Sequence, residues 1–143
     1  MLNGDLSNQA APRIYVVFDK LIGKLPEDSG NFYELIDDKK YKDALDLMII
    51  DHLMFNRLAY LCNKKNINVY LVTWMGHGMA EAVEDFMSGM GILVRGCIAS
   101  APVSLAKLII QDETVIGVYD PDPDHSLTYG TKGRVVKSER DLT

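Results

Sequence analysis

The apolar positions fall into two kinds of run. Residues 13–19 (RIYVVFD), 68–74 (NVYLVTW) and 114–120 (TVIGVYD) are short, almost unbroken and rich in β-branched and aromatic side chains. That is the pattern of strands buried on both faces of a parallel sheet. Residues 92–99 and 130–136 read as two weaker strands. Between these lie stretches of helical spacing. Residues 41–65 carry Ala44, Leu47, Met48, Met54, Phe55, Leu58 and Cys62 at that period, with Asp51 as a gap, and close on Lys64, Lys65 and Asn66, a helix C-terminus by type. Residues 79–90 turn Ala82, Val83, Phe86 and Met87 inward, and residues 104–111 form a shorter helix. Residues 26–30, which include Pro26 and Gly30, punctuate the chain as a loop.

Strands alternating with helices, without a repeat or a composition break, predict one three-layer α/β domain with a mainly parallel, Rossmann-like sheet of four or five strands. The domain is expected over residues 13–136, after an N-terminal arm (1–12) and before a charged tail (137–143). Crossover connections place every strand's C-terminal end on one edge, and in such folds ligands sit beyond that edge.

Composition narrows the function. The 143 residues suit a single domain. Fifteen Lys and Arg against 20 Asp and Glu leave a net charge of −5, which argues against a general nucleic-acid or anionic-membrane coat. Lys39, Lys40 and Lys42, and Lys132, Arg134 and Lys137, are small basic groups, read as solvated faces or local phosphate contacts. Two cysteines, Cys62 and Cys97, make no CxxC pair, and with three histidines they offer neither a disulfide scaffold nor a structural zinc site. No apolar run reaches the roughly 18 residues of a membrane helix, and residues 1–12 lack the pattern of a signal peptide. A cytoplasmic setting is the resulting expectation.

The three strong strands end in Asp19, Thr73 and Asp120. Asp120 opens the run Asp120-Pro121-Asp122-Pro123-Asp124-His125, whose prolines are expected to forbid a helix and hold three carboxylates on a stiff loop. Carboxylates gathered from different strands repel unless a cation or proton intervenes, and hard oxygen ligands suit Mg²⁺. Each such Asp has an ordinary reading as a turn or N-cap residue. Their coincidence at three ends of one sheet favours a site.

These residues resemble a known family. A first strand ending in Asp19, a second ending in Thr73, a helix-borne Lys107 and a strand running into an acidic cluster at Asp120 follow the order of haloacid dehalogenase (HAD)-like phosphatases. The likeness covers residues 13–136 and is nearest to small domains such as the phosphatase domain of polynucleotide kinases and compact phage-borne relatives. It implies Asp19 as the nucleophile, Thr73 and Lys107 as phosphate-binding partners, and Mg²⁺ held by Asp19, Asp120 and Asp124 (or Asp122). Gly76 and His77 would lie against the substrate, a phosphorylated nucleotide or nucleic-acid end. The chain departs from the family at Leu21, where such phosphatases carry a second Asp that protonates the leaving group. Three readings follow: a weak Mg²⁺-dependent phosphohydrolase favouring good leaving groups or borrowing an acid such as His77; a catalytically inactive HAD-like protein that binds a macromolecular partner; and a phospho-acceptor signalling domain, which usually needs paired acids after the first strand. The stretch 23–40 is too short for a cap domain, so an open site is expected.

Three other residues stand out, two of them with double readings. Trp74 either stacks on a base or packs on a helix, His125 either orients a carboxylate or sits in a solvated turn, and His52 is a helix-face residue. The methionines of the helical stretches are read as core fillers.

Overall fold

A computed structural model describes residues 11–64 and 66–142. Residues 1–10, which make up most of the N-terminal arm, and Lys65 lie outside the described residues. In chain order the elements are β1 (Arg13–Val17), β2 (Gly23–Lys24), α1 (Gly30–Asp37), α2 (Tyr41–Leu47), β3 (Ile49–Ile50), α3 (His52–Cys62), β4 (Asn68–Thr73), α4 (His77–Gly89), β5 (Gly96–Ala99), α5 (Pro102–Ile109), β6 (Val115–Asp120), α6 (Pro123–Thr128) and β7 (Gly133–Val135). Short 3₁₀ turns at Gly130–Lys132 and Glu139–Asp141 complete the chain.

Five strands form one sheet in the order β5-β4-β1-β6-β7, and every pairing is parallel. β1 is central. It pairs Val17 with Val72 of β4 and Val16 with Tyr119 of β6. The alternation along β1 explains why its sequence is apolar throughout. Ile14, Val16 and Phe18 enter a core shared with α1–α4, while Tyr15 and Val17 enter a second core with Leu105 and Ile109 of α5 and Val118 of β6. A sheet covered on both faces is an α/β architecture, as the alternation predicts.

The periodic stretch 41–65 is not one helix. Asp51, the apparent gap, is the N-cap of α3: its Oδ1 accepts the Met54 N–H at 3.1 Å. The preceding Ile49 and Ile50 pair antiparallel with Lys24 and Gly23 as a small ribbon beside the main sheet. A cap satisfies orphan helix donors, so a polar residue in an amphipathic stretch marked a start rather than an interruption. Residues 30–37, left unassigned by the pattern, form α1, which buries Phe32. Between β2 and β3 the insertion is thus two short helices.

β5 is also shorter than residues 92–99 suggested. Gly91 has φ +74° and breaks the chain after α4, and the strand starts only at Gly96. On the far edge, β7 leans so closely on α6 that a Cβ at Gly133 would collide with the Ser126 backbone carbonyl. The charged tail is anchored: Leu142 is buried in the first core, and its carbonyl accepts from Arg57 Nε at 2.7 Å.

Candidate functional site

Asp19 lies two residues beyond the end of β1, where the neighbouring β4 ends at Thr73. The Thr73 hydroxyl donates to Asp19 Oδ1 at 2.8 Å, and the Trp74 N–H donates to Oδ2 at 2.8 Å. Met75 N–H in turn donates to Thr73 Oγ1 at 3.2 Å, so the hydroxyl is held from both sides. Each carboxylate oxygen has two lone-pair directions, and each keeps one after these bonds.

A tight turn fixes the start of the site. The N–H groups of Ile22 and Gly23 both donate to the Phe18 carbonyl, at 2.9 and 3.0 Å, and Lys20 N–H donates to Gly23 O at 2.9 Å. Closing it puts Lys20 in the left-handed region, at φ +67°. The turn leaves Lys20 exposed beside Asp19 and sends Leu21 into the first core, where it is 3% exposed.

Asp120 ends β6 on the other side of β1 and is fully buried. Its Oδ1 accepts the Asp122 N–H at 2.8 Å and its Oδ2 accepts the Tyr129 hydroxyl at 3.2 Å. His125 stands beside it, Nδ1 at 3.3 Å from Asp120 Oδ2 and Nε2 at 3.5 Å from Asp122 Oδ2. The same ring meets Trp74 edge-on, centroids 4.8 Å apart and planes at 85°. The ring is near enough for its charge to act on Asp120, while its buried Nδ1 makes no hydrogen bond among the described residues. Tyr129 carried no signal in the sequence, because only the packing of α6 against β6 brings its hydroxyl to Asp120.

The prolines did not prevent a helix. α6 begins at Pro123, the first helical position, where a missing N–H costs nothing, and Asp122 caps it by accepting the Asp124 N–H at 2.9 Å. The run Asp120–His125 is therefore a strand end, a cap and a first helical turn. This corrects the expected ligand set. Asp124 is exposed on α6, and among the described residues no three His, Cys, Asp or Glu side chains group to hold a metal ion.

Asp19 and Asp120 stand at the ends of neighbouring parallel strands, and the Asp120 charge acts on Asp19. Burial raises the pKa of Asp19; the Trp74 and Thr73 hydrogen bonds and the Lys20 charge pull it down, and the Asp120 charge raises it further. Burial likewise raises Asp120 against the lowering effects of the Asp122 N–H, His125 and Tyr129. Mg²⁺ is satisfied by one or two carboxylates with water completing its shell. A cation beside Asp19 would offset the raising effect of the Asp120 charge, and two carboxylates are donors of the kind that ion takes.

Lys107 is not at this edge. α5 leaves the end of β5 at Pro102 and runs away from it. Lys107 sits exposed in the last turn, about 7.5 Å further along the axis at 1.5 Å per residue. The helix buries Leu105 and Ile109, and that face leaves Lys107 outward. Lys20 is the cation whose charge acts on Asp19, and the sequence reading passed over it because a lysine after a strand-end Asp carries no spacing signal.

Gly76 and His77 open α4. Gly76 is its N-cap at φ +94°, and no side chain caps the helix, so the first-turn N–H groups face outward without intrahelical partners. Trp74, Gly76 and His77 form a groove of about 230 Å³ with Ala99, Ser100 and Ala101 at the end of β5. Larger hollows of about 350 and 510 Å³ surround Arg95 at the opposite, N-terminal edge of the sheet, away from the acidic pair. The thiols of Cys62 and Cys97 are raised by burial to about 12, which leaves them unreactive near neutral pH. No helix among the described residues is long and apolar enough to cross a membrane.

Comparison with protein-family models, curated proteins and solved structures yields no match.

Proposed function

We propose that this chain is a phosphohydrolase of the HAD-like type, with Asp19 as the nucleophile. The observation that carries the reading is the oriented Asp19 carboxylate, held by Thr73 Oγ1 and Trp74 N–H at the ligand-binding edge of a parallel sheet. One lone pair on Asp19 attacks phosphorus, giving an aspartyl-phosphate that water then hydrolyses; splitting the reaction this way replaces one hard step with two easier ones. The outward N–H groups at the start of α4, with Gly76 and His77, suit the phosphoryl oxygens, since a helix N-terminus favours anions. Lys20 supplies positive charge beside the nucleophile. Asp19 and Asp120 would hold Mg²⁺, which when bound neutralises the acidic pair and polarises a phosphoryl oxygen.

A second reading, a non-catalytic HAD-like protein that binds a macromolecular partner, is favoured by one observation: Leu21 lies in the core where a leaving-group acid would be needed. Assay of phosphate release from an activated aryl phosphate with Mg²⁺ separates the two. Turnover in the natural chain that disappears in Asp19→Asn, with folding intact, supports the enzyme. Silence in both supports the binding protein.

A further inference from the structure

We infer that the substrate of the Asp19 site is an aryl phosphomonoester whose ring seats in the groove between Trp74 and Ser100; this rests on the phosphohydrolase reading above. Two independent features lead to it. The first is the missing acid. Leu21 points into the core, so no carboxyl group two residues after Asp19 protonates the departing oxygen. His125 is engaged with Asp120 and Asp122, and among the described residues nothing hydrogen-bonds the exposed His77 ring to orient it. An alkyl ester then has to expel an alkoxide, comparable in basicity to hydroxide, whose conjugate acid, bulk water, has a pKa of about 15.7. An aryl ester expels a phenolate of conjugate-acid pKa about 10, which needs no such help.

The second feature is the groove itself. It lies next to the nucleophile: Trp74, one of its lining residues, donates its N–H to Asp19 Oδ2. The indole is fixed by edge contact with His125 and by packing on the second core. The facing wall is made of Ala99, Ser100 and Ala101, whose small side chains leave a slot. Its volume of about 230 Å³ lies below the roughly 300–1,000 Å³ of pockets for drug-sized ligands and is on the scale of a single ring. A nucleoside 5′-phosphate fits less well, since its leaving oxygen is alkyl and a ribose separates base from phosphate.

The chemistry balances without further reagents. A bond forms between Asp19 Oδ and phosphorus as the phosphorus–aryl oxygen bond breaks. The phenolate departs with that electron pair and takes a proton from water. A second water attacks the aspartyl-phosphate, restores the carboxylate and releases inorganic phosphate, its proton passing to solvent.

The test compares phenyl phosphate, a phosphotyrosyl peptide, glycerol phosphate, a nucleoside 5′-monophosphate and acetyl phosphate, the last a good leaving group without a ring. Each is assayed with Mg²⁺ in the full chain, in Asp19→Asn, and in Ser100→Leu and Ala101→Leu, which fill the groove. Aryl esters should exceed glycerol phosphate in kcat/KM by about 100-fold or more, the lower range of what an acid supplies. Either leucine variant should raise KM for phenyl phosphate about tenfold, and that for acetyl phosphate by a clearly smaller factor. A peptide favoured over free phenyl phosphate assigns the ring to a polypeptide, and the reverse assigns it to a small molecule. Equal turnover of glycerol phosphate or the nucleotide overturns the inference. So does Asp19-dependent turnover that neither groove variant alters, which leaves the phosphohydrolase standing. Absence of Asp19-dependent acetyl phosphate hydrolysis removes both.

Discussion

The Thr73 hydroxyl donates to Asp19 Oδ1 at 2.8 Å, joining two strand ends that lie 54 residues apart in the chain. Both groups are buried, so the bond ties the fold to the proposed chemistry: the same contact that satisfies a desolvated carboxylate aims it. Thr73→Val keeps the shape and removes the donor. Hydrogen bonds to charged groups contribute about 1.5–3 kcal/mol, and a loss in that range is expected in denaturant unfolding, with Thr73→Ser recovering most of it. An unchanged midpoint for the valine variant would show that Asp19 does not depend on this hydroxyl.

Leu21 tests whether the missing acid can simply be restored. Its side chain belongs to the first core, packed with residues such as Phe18 and Ile22. Leu21→Asp therefore deletes buried apolar volume and places a carboxyl group in an apolar setting. A loss of at least about 3 kcal/mol is expected, without gain of activity on alkyl phosphates. A stable variant with enhanced alkyl phosphatase activity would mean that the turn after β1 opens toward the site.

The Asp19–Asp120 pair gives a pH dependence of definite sign. Both pKa values are raised, chiefly by burial, above the ordinary value near 3.9. The folded chain thus keeps protons that the unfolded chain has already lost. The pair's contribution is least unfavourable below the unfolded value, and stability falls as pH rises from there through the raised folded values. A cation offsets that loss only when the acids are ionised. Thermal unfolding with and without Mg²⁺ should show a larger rise in Tm near pH 7 than near pH 4, and Asp120→Asn should remove it. Equal increments at both pH values would sink the shared cation site.

Asp51 gives a prediction independent of function. As the cap of α3 its Oδ1 accepts from Met54 N–H, and its Oδ2 lies 3.3 Å from Lys24 Nζ. The Met54 bond is the largest effect and, helped by Lys24, holds its carboxyl below the usual range against burial, which ranks second. Asp51→Ala should cost about 1 kcal/mol, the usual worth of an N-cap, read as a small fall in Tm. Asp51→Ser should cost less. If α3 were continuous with α2, alanine there would instead stabilise the chain.

Legibility in the sequence followed the range of the interaction. The strands at 13–19, 68–74 and 114–120 were readable because a sheet buried on both faces demands unbroken apolar runs. The candidate acids were readable because parallel connections send strand ends to one edge. Lys107 was misplaced and Asp124 was over-recruited, since a helix's direction and a proline's position within it depend on where that helix starts. Pro123 at the first turn of α6 is permitted where Pro in its middle is not.

The chain's own order of residues determined the buried strands, the alternation with helices and the presence of Asp19, Thr73 and Asp120 at strand ends, since these follow from local periodicity and the geometry of parallel crossovers. Tertiary structure alone decided that Leu21 turns inward, that Lys20 rather than Lys107 acts on Asp19, and that Tyr129 bonds Asp120 with His125 beside it. Those outcomes rest on contacts between elements distant in sequence or on the sense of a single turn, and a one-dimensional pattern does not encode which side of the chain a turn presents.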